Sequence, residues 1–439
     1  MQNRRYTAGI YTLGCKVNQY ESEAIAEALA SGGIEVVSPS DACDIYIINT
    51  CTVTAESDRK ARQFIRRAVM KNPNAYIIVT GCMAQVAHEK IAAIEGVDYI
   101  CGNSEKLSAA DAALAFIKNA EKTDFPEIRV SSLDGARFEQ MKIKTFGRTR
   151  AYVKIEDGCE NRCTYCIIPS ARGKIRSKPL CEVIAEVSEL TRGGCREVVL
   201  TGIETASYGR DLGDGTDLAG LLREVDGIEG IGRVRLGSLD PSLITPAFVE
   251  KIAPLRSLTP HFHLSLQSGS SRVLALMRRK YNADMAYGSI ELLKKSIPDV
   301  KLTTDVIVGF PSETEEDFLE TVEFAKKAEF LMMHVFPYSP RAGTEAAKMK
   351  NQISPDVKKR RAAELSLTAK QIREKVLEKA VAETPCRLVL FETYENGVAF
   401  GHTPDFIEVA VKSDRSLHSE FHNVRLTHTD GNICFGVLN

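Results

Sequence analysis

Apolar and polar positions along the first 105 residues alternate between two patterns. Short apolar runs typical of buried strands are each followed by a segment in which apolar residues recur with the period of an amphipathic helix. The strands are predicted at 7–13, 44–48 and 75–79, and the helices from about Tyr20, Ser57 and Ala84. Because alternating strands and helices favour an open parallel sheet, we predict an N-terminal α/β domain over residues 1–120.

The pattern fades over residues 121–145, which we interpret as a linker, and resumes over residues 146–350. Six strand-like segments separated by helical periodicity are predicted at 151–156, 197–202, 233–237, 261–266, 301–308 and 332–336. Successive β/α units with short connections favour a parallel sheet curled into a partial (β/α)6 barrel.

A charged connecting helix is predicted over residues 351–380, and helical periodicity ends beyond it. In the remaining segment, 381–439, short alternating runs are separated by Gly, Asn and Asp, which favours a small antiparallel β-barrel. The predicted fold class is therefore α/β, with an open parallel sheet domain, a partial barrel and a small C-terminal β-barrel.

The composition is that of an ordinary folded protein. Of 439 residues, 44% are hydrophobic and 26% are charged, which excludes disordered, collagen-like and coiled-coil classes. No apolar run approaches the roughly 18 residues of a membrane span, and the N-terminus lacks a secretory signal, so we expect a cytoplasmic protein without a membrane partner. The net charge of −1 excludes a surface that attracts polyanions everywhere, but it leaves room for local basic patches.

A CxxxCxxC run follows the predicted strand at 151–156 and contains Cys159, Cys163 and Cys166. Three thiolates on one loop can ligate three irons of a four-iron cluster and leave the fourth iron open for another ligand. Zinc would need a fourth ligand nearby, and no His lies between residues 89 and 260. We interpret the run as a [4Fe–4S] site.

A second set of cysteines is dispersed, and its members are Cys15, Cys51 and Cys82. Each follows the end of a predicted parallel strand and precedes a helix, and the carboxyl ends of such strands share one crevice. A helix N-terminus also lowers the pKa of a thiol, which favours metal binding. Three buried small hydrophobic residues remain the alternative interpretation. We interpret the other six cysteines as structural.

Several ordered motifs accompany these cysteines: Leu13-Gly14-Cys15-Lys16-Val17-Asn18-Gln19-Tyr20-Glu21-Ser22, Asn49-Thr50-Cys51-Thr52-Val53, Thr80-Gly81-Cys82, Ile167-Ile168-Pro169 with Ala171-Arg172-Gly173, and Phe336-Pro337-Tyr338-Ser339 with Arg341-Ala342-Gly343-Thr344. In these motifs the chain resembles the radical S-adenosylmethionine (SAM) methylthiotransferases over essentially its whole length. The resemblance implies an N-terminal cluster domain, a partial radical-SAM barrel and a C-terminal TRAM domain. Residues 14–19 and 158–161 resemble the branch that acts on N6-threonylcarbamoyladenosine in tRNA.

The resemblance implies an enzyme that converts this adenosine, 3′ of the anticodon, to its 2-methylthio derivative by radical C–H sulfur insertion and SAM-dependent methylation. It implies two [4Fe–4S] clusters, one on each cysteine trio, and two equivalents of SAM per turnover. The implied partners are a tRNA anticodon stem-loop, an external electron donor and a sulfur source for the auxiliary cluster.

Strand-end segments that resemble the SAM-binding parts of such barrels supply six candidate cofactor contacts: Tyr165, Gly202, Glu204, Ser265, Gln267 and Ile307. Each is equally consistent with an ordinary strand terminus or turn. Basic residues grouped near the cysteines supply the candidate RNA contacts, although such runs are also typical of ordinary solvated faces. The candidates are Arg62, Arg66, Arg148, Arg150, Arg172, Lys174, Arg278, Arg279 and Arg341.

Two other functions remain open from the sequence. One keeps the chemistry but changes the substrate to N6-isopentenyladenosine in tRNA or to an aspartate of a ribosomal protein. The other is a non-catalytic RNA-binding protein that contains zinc. From residue 351 onward 12 Lys and Arg balance 12 Asp and Glu, so RNA binding by the C-terminal barrel alone is not expected from its charge.

Overall fold

The computed structural model describes residues 5–119 and 122–439. The first four residues and the predicted boundary between the N-terminal domain and the linker, at residues 120 and 121, lie outside this part of the chain. Within it, no helix is long and apolar enough to cross a membrane.

The N-terminal part is a six-stranded parallel sheet with the strand order β2-β1-β3-β4-β5-β6. Its strands are β1 (Thr7–Thr12), β2 (Glu35–Val37), β3 (Ile45–Thr50), β4 (Tyr76–Gly81), β5 (Tyr99–Cys101) and β6 (Glu127–Arg129). Its helices are α1 (Lys16–Ser31), α2 (Ala55–Lys71), α3 (Cys82–Ala92) and α4 (Ser108–Asn119).

Alternate residues of the buried strands build two apolar clusters, one on each face of this sheet. Tyr46 and Ile48 of β3 pack with α2 and α3, whereas Ile45 and Ile47 pack with α1 and α4. The predicted open α/β sheet is confirmed. The three-residue strands β2, β5 and β6 were not predicted because they are too short for a pattern, and β6 lies within the segment expected to be a linker.

The central part is a curved sheet of parallel strands in sequential order. Its strands are β7 (Arg150–Lys154), β10 (Glu197–Thr201), β11 (Arg233–Leu236), β12 (Ser238–Leu239), β13 (His261–Gln267), β14 (Lys301–Val308) and β15 (Met332–Pro337), and a short antiparallel pair, β8 (Glu156–Asp157) and β9 (Arg176–Ser177), lies beside them. Only Gly237 separates β11 from β12, so these two act as one strand, and the predicted partial (β/α)6 barrel is confirmed.

The helices of the central part are α5 (Ile168–Arg172), α6 (Leu180–Arg192), α7 (Leu218–Asp226), α8 (Pro246–Ile252), α9 (Ser271–Leu276), α10 (Ala283–Ser296) and α11 (Glu315–Ala328). Val198 and Leu200 of β10 pack in the same apolar cluster as Val183 and Val187 of α6. Since side chains alternate along a strand, Glu197 and its inward neighbours face the lumen of the barrel.

The lumen is charged, unlike the apolar interior of a filled α/β barrel. Arg150, Glu197 and Arg233 are in register on β7, β10 and β11. Further along the sheet, His263 of β13 lies 3.3 Å from a carboxylate oxygen of Asp305 on β14. A lumen lined in this way suits a polar ligand.

The C-terminal part begins with α12 (Pro355–Glu383) and forms a closed five-stranded barrel with the order β16-β17-β18-β20-β19. The strands are β16 (Cys386–Glu395), β17 (Val398–His402), β18 (Glu408–Lys412), β19 (Phe421–Thr429) and β20 (Cys434–Leu438). The predicted small β-barrel is confirmed. β19 was not predicted, because its outward positions are polar and only Val424 and Leu426 are fully buried.

Phe406 packs at the interface between this barrel and the starts of the central strands. Its ring stacks on His261 with 4.5 Å between centroids and on His402 with 4.8 Å. The guanidinium of Arg235 lies 4.7 Å from the centroid of the same ring. The two barrels therefore share an interface built on one aromatic side chain and the cations around it.

Replacing Phe406 by Ala removes these stacking contacts and opens a cavity at the interface. We expect the free energy of unfolding of the C-terminal barrel to fall by about 3 kcal/mol, measured by thermal unfolding. Phe125, which is 82% exposed, provides the matched control, since Phe125→Ala removes no packing. Equal unfolding temperatures for the two variants would contradict this account of the interface.

Candidate active site

The dispersed cysteines lie where strands of the N-terminal sheet end. Cys15 is the N-cap of α1, and Cys82 is the first residue of α3, directly after β4. Cys51 follows β3 and lies four residues before α2 begins. Because α1, α2 and α3 all begin earlier than the sequence predicts, the cysteines lie closer to helix starts than expected.

Two glycines allow the cysteine turns to pack against one another. Gly14 has a φ of +100°, and a Cβ atom there would lie 2.9 Å from the sulfur of Cys51. Gly81 has a φ of +98°, and a Cβ atom there would lie 2.3 Å from the carbonyl oxygen of Thr50. Only glycine adopts this conformation and permits this approach, so the three turns converge.

Polar side chains hold the same turns from below. The Asn18 amide donates to the carbonyl oxygens of Leu13 and Thr50, at 2.6 and 3.0 Å. The Asn49 amide donates to the carbonyl oxygen of Asn18 at 3.0 Å, and the Thr50 hydroxyl donates to that of Thr80 at 2.6 Å. The three side chains that donate these hydrogen bonds are buried, so the strand ends are fixed relative to one another.

The CxxxCxxC loop runs between β8 and α5 and is fastened to the barrel. Thr164, inside the run, donates its amide to the carbonyl oxygen of Met277 and its hydroxyl to that of Leu276. The Arg279 guanidinium donates to the sulfur of Cys163 at 3.3 Å. The backbone amide of Asn161 donates to the sulfur of Cys159 at 3.4 Å. Hydrogen bonds to sulfur are the contacts by which proteins tune iron–sulfur clusters.

A buried charge network joins the two cysteine sets. The carboxylate of Glu21, on α1, is completely buried and pairs with three cations, which are Lys106, Lys154 and Arg172. Arg172 ends α5, six residues after Cys166, and its Nε donates to the sulfur of Cys82 at 3.3 Å. One guanidinium therefore connects the loop of one trio to a cysteine of the other.

Asp157 forms the second anionic centre of this network. It lies just before the CxxxCxxC loop and forms ion pairs with Lys154 at 2.7 Å, Arg172 at 3.2 Å and Arg176 at 3.4 Å. The cations of the network thus alternate with its carboxylates, so each buried charge has an opposite neighbour.

One pocket of about 220 Å³ is lined by Cys166 of the loop trio and by the segment that follows Cys51 of the dispersed trio. Val53 and Thr54, which follow Cys51, form one side, and Cys166 with its neighbours in the loop forms another. The floor and the remaining wall come from β14 and β15, through Asp305, Ile307 and the 336–339 segment. This arrangement puts the two predicted cluster sites beside a common chamber.

The 336–344 motif closes this chamber against the N-terminal domain. The Arg341 guanidinium forms an ion pair with Asp58 and donates to the Thr52 hydroxyl, next to Cys51, at 2.7 Å. The hydroxyl of Ser339 accepts the amide of Ala55 at 3.2 Å. The motif therefore positions the Cys51 turn over the barrel.

The candidate SAM contacts occupy two places. Tyr165 and Ile307 line the shared pocket. Glu204 lies in a neighbouring pocket of about 280 Å³, where it accepts the Asn161 side-chain amide at 2.8 Å, and Gly202 packs against Glu156. Burial, with the charge of Asp240 next in weight, raises the pKa of Glu204 to about 7.

The last two candidates lie on the inner face of β13 and are half-buried. The carbonyl oxygen of Ser265 accepts hydrogen bonds from Arg279 and Tyr281. Gln267 has a φ of +69°, which marks the register shift at the end of the strand. Whether these six residues bind SAM stays a prediction.

Four of the basic residues predicted to contact RNA are instead engaged inside the protein. Arg172 is completely buried in the Glu21 network, and Arg279 pairs with Asp240 at 2.7 Å. Arg150 pairs with Glu392 at 2.6 Å, and Arg341 pairs with Asp58. Each of these four guanidinium groups therefore already has a carboxylate partner within the protein, and an RNA contact by any of them stays a prediction. Arg62 is half-buried, and Arg66, Arg148, Lys174 and Arg278 are exposed.

The charges of the cysteines depend strongly on their burial. Burial raises the pKa of Cys51 to about 11 and the pKa values of Cys159 and Cys166 to about 12. Burial also raises the pKa of Cys15, so the expectation that its helix N-terminus favours the thiolate is wrong. Desolvation outweighs the helix dipole here, and loading iron would release protons.

The donor sets fit iron–sulfur clusters. Each trio offers three thiol sulfur atoms as donors. In each set an arginine donates a hydrogen bond to one of them, Arg172 to Cys82 and Arg279 to Cys163. Among residues 5–119 and 122–439, no three His, Cys, Asp or Glu side chains are grouped to hold a single metal ion. The ligands of a four-iron cluster bind different irons and are therefore spread more widely than those of one ion.

Comparison with protein families matches both halves of this site. Residues 7–102 match the model described as "Uncharacterized protein family UPF0004", and residues 153–325 match that of the Radical SAM superfamily. A Bacillus subtilis (strain 168) protein named "Threonylcarbamoyladenosine tRNA methylthiotransferase MtaB" is 40% identical, and the alignment covers 96% of this chain and 93% of that protein. This chain belongs to the radical SAM methylthiotransferase family.

Other relatives of this methylthiotransferase carry two different names. A Thermotoga maritima protein, also named MtaB, is 38% identical over 96% of this chain and 94% of its own length. The "tRNA-2-methylthio-N(6)-dimethylallyladenosine synthase" of Thermotoga petrophila is 34% identical over 95% of this chain and 93% of its own. As a radical SAM enzyme, the protein uses an iron–sulfur cluster and SAM.

Among solved structures, the radical SAM methyltransferase TsrM of Kitasatospora setae, with cobalamin and a [4Fe-4S] cluster bound, is similar with a TM-score of 0.55. It is 15% identical, and the match covers 78% of this methylthiotransferase and 77% of that chain. At this identity the likeness concerns the fold alone.

Sequence reasoning missed the residues that connect the two cysteine sets. Glu21 and Asn18 belong to a motif that the resemblance already singled out, but no role was assigned to them. A charged residue in the apolar period of a predicted helix was the available signal for Glu21, since its neighbours Tyr20 and Ala24 pack in the core of the barrel.

Replacing Glu21 by Gln leaves three buried cations without their shared carboxylate. We expect the free energy of unfolding of this methylthiotransferase to fall by about 3–5 kcal/mol, measured by denaturant unfolding. Glu56→Gln is the matched control: Glu56 pairs with Arg59 on the exposed face of α2, and its removal should leave stability almost unchanged. An equal loss in both variants would contradict the central place of Glu21.

Acid should weaken the network through Asp157. Burial opposes its ionisation, but Arg172 and Lys154 outweigh burial and lower its pKa from 3.8 to about 2. Because the folded-state pKa is lowered, the stabilisation by Asp157 is complete above the unfolded pKa and is lost as pH falls toward about 2.

We therefore compare wild type with Asp157→Asn as metal-free proteins. The difference in their unfolding free energies should be constant above about pH 5 and should shrink below about pH 4. The exposed Asp124→Asn variant should follow wild type throughout. A difference between wild type and Asp157→Asn that did not change with pH would refute the lowered pKa.

Proposed function

We propose that this enzyme converts N6-threonylcarbamoyladenosine 3′ of the tRNA anticodon to its 2-methylthio derivative. The observation that carries the proposal is the chamber lined by Cys166 from one domain and by Val53 and Thr54, which follow Cys51, from the other. Relatives 38–40% identical over nearly the whole chain carry the corresponding name.

The proposal includes two [4Fe–4S] clusters. Cys159, Cys163 and Cys166 would hold the first, and Cys15, Cys51 and Cys82 the second, each with one iron free for another ligand. When bound, the first cluster supplies the electron that cleaves SAM to methionine and a 5′-deoxyadenosyl radical, and the second holds the sulfur that is methylated and transferred. Two equivalents of SAM, an external electron donor and a sulfur source complete the proposed reaction.

The residues of this chain provide position and shielding for that chemistry. Arg172 and Arg279 donate hydrogen bonds to one sulfur atom of each trio, which offsets negative charge on the ligands. Tyr165 and Ile307 give the chamber an apolar wall that excludes water from a reactive intermediate. The Glu204 carboxylate accepts a hydrogen bond from the side-chain amide of Asn161 and would bind the amino group of SAM.

An anticodon stem-loop would reach the chamber across exposed basic residues. Arg66 on α2, Arg148 before β7, Lys174 after α5 and Arg278 after α9 are exposed, and Arg278 pairs with the equally exposed Glu345. Single-stranded loops present unstacked bases, and a target base can be flipped into a pocket. The partner proposed is therefore the anticodon loop rather than a duplex.

The second candidate function has the same chemistry on N6-isopentenyladenosine, because relatives 34% identical over most of the chain are named for that type of product. The two candidates differ only in the group on N6 of the adenine. Nucleosides from tRNA therefore distinguish them directly.

Deletion of the gene should abolish 2-methylthio-N6-threonylcarbamoyladenosine, and its unthiolated precursor should accumulate. Mass spectrometry of nucleosides from total tRNA measures both. The level of the isopentenyl counterpart is the internal control and should not change. Loss of the isopentenyl product instead would reassign the substrate.

Cys82→Ala should retain reductive cleavage of SAM and lose sulfur insertion, because only the second trio is broken. Reconstituted wild type should hold about eight irons per chain, and the variant about half of that. Cys43→Ala is the matched control and should be fully active, because it removes a buried thiol of the same domain that donates to the carbonyl oxygens of Ser38 and Asp41. Unchanged methylthiolation in Cys82→Ala, or stoichiometric zinc in a colourless wild type, would overturn the two-cluster proposal.

A further inference from the structure

Glu156 carries a completely buried carboxyl group in β8, three residues before Cys159. In the part of the chain that the structure describes, no Lys, Arg or His forms an ion pair with it. The other buried carboxylates of this region differ, since Glu21, Asp157 and Glu186 each pair with at least one cation. One oxygen of Glu156, Oε1, is also buried without a hydrogen-bond partner.

The burial of Glu156 is not explained by the stability of the core. A buried carboxyl group without a cation costs folding free energy, whereas an apolar side chain of similar volume would pack in its place at little cost. The reason for a carboxyl group at this position therefore has to lie in the hydrogen bond that its other oxygen makes.

That oxygen, Oε2, accepts the backbone amide of Glu204 at 2.7 Å. Gly202 lies against the same carboxyl group, and a Cβ atom there would be 2.7 Å from Oε2 and 3.1 Å from the Cβ atom of Glu156. Only glycine permits so close an approach. The turn that follows β10 therefore packs directly on Glu156.

The side chain of Glu204 is held by a separate contact. It accepts the side-chain amide of Asn161, inside the CxxxCxxC run, at 2.8 Å. Glu156 precedes that loop and Asn161 belongs to it, so the two hydrogen bonds together fix Glu204 relative to the cysteines. The Glu204 side chain is only partly buried and lines the pocket of about 280 Å³, so a ligand can reach it.

We propose that Glu156 is a positioning residue for SAM, because it orients the turn that presents the Glu204 carboxylate to the amino group of SAM. The inference rests on the proposed contact between Glu204 and that amino group. SAM has to contact both Glu204 and the cluster at the CxxxCxxC loop, so a displaced turn weakens its binding. Glu156 acts through the backbone of Glu204 and does not touch SAM itself.

The test compares Glu156→Met, which fills the same space without an acceptor, with wild type as reconstituted full-length enzymes. We expect the dissociation constant for SAM, measured by equilibrium dialysis, to rise about tenfold, as the loss of one hydrogen bond predicts. The KM for SAM in reductive cleavage should rise by the same factor, and the rate at saturating SAM should change by less than about twofold. Glu156→Gln keeps an acceptor oxygen and should behave as wild type.

Hydrogen exchange tests the positioning itself, without iron or SAM. In the metal-free proteins, the Glu204 amide should exchange about tenfold faster in Glu156→Met than in wild type or Glu156→Gln, because its acceptor is gone. The unfolding temperature of metal-free Glu156→Met should not fall below that of wild type, since no cation loses a partner. A lower unfolding temperature would make Glu156 a structural residue and would overturn the inference.

Asp226→Leu is the matched control. The Asp226 carboxylate also accepts a backbone amide, that of Ser257 at 2.7 Å, but it lies at the opposite end of the barrel, where α7 ends. The affinity of this variant for SAM should equal that of wild type.

Unchanged exchange of the Glu204 amide, or unchanged SAM affinity, in Glu156→Met would refute the positioning role. An equal loss of affinity in Glu156→Gln would refute it as well, because charge rather than the hydrogen bond would then be responsible. If reconstituted wild type itself binds no SAM, the proposed function fails, and the inference fails with it.

Discussion

The arrangement of the whole site depends on the buried ion pairs around Glu21 and Asp157. Two carboxylates from different domains are held by Lys106, Lys154, Arg172 and Arg176, all nearly or completely excluded from water. Such charges are stable only when every partner is present, so the network fixes how the N-terminal sheet lies on the barrel. Because Arg172 also contacts Cys82, the constraint extends directly to the cysteines.

This ion-pair network changes how the basic residues near the cysteine loop are interpreted. Between residues 142 and 178 the chain has ten Lys and Arg and three Asp and Glu, which suggested a basic surface. Four of the ten, Lys154, Arg172, Arg176 and Lys178, are buried against Glu21, Asp157 and Glu186, and Glu21 belongs to the N-terminal domain. Counting charge along the chain cannot reveal pairing across domains, and only the exposed remainder is available to RNA.

The strands and helices with strong periodicity were predictable, and so were the cysteines as two groups. The CxxxCxxC spacing is local, and the positions of Cys15, Cys51 and Cys82 at strand ends follow from the topology of a parallel sheet. The three-residue strands β2, β5 and β6 were not predicted, because three residues are too few to show an alternating pattern. The thiol pKa values were misjudged, since burial depends on what the other domain covers.

The sequence alone determined the order of the three parts, the two sulfur sets and the family that the motifs resemble, because these depend on local patterns and spacing. Only the tertiary structure decided that Arg172, Arg279 and Arg341 pair with carboxylates of the protein itself. The physical reason is that the free energy of a charge is set by its neighbours in space. Glu21 and Asp58, which pair with Arg172 and Arg341, lie on helices of the other domain, far from them in sequence.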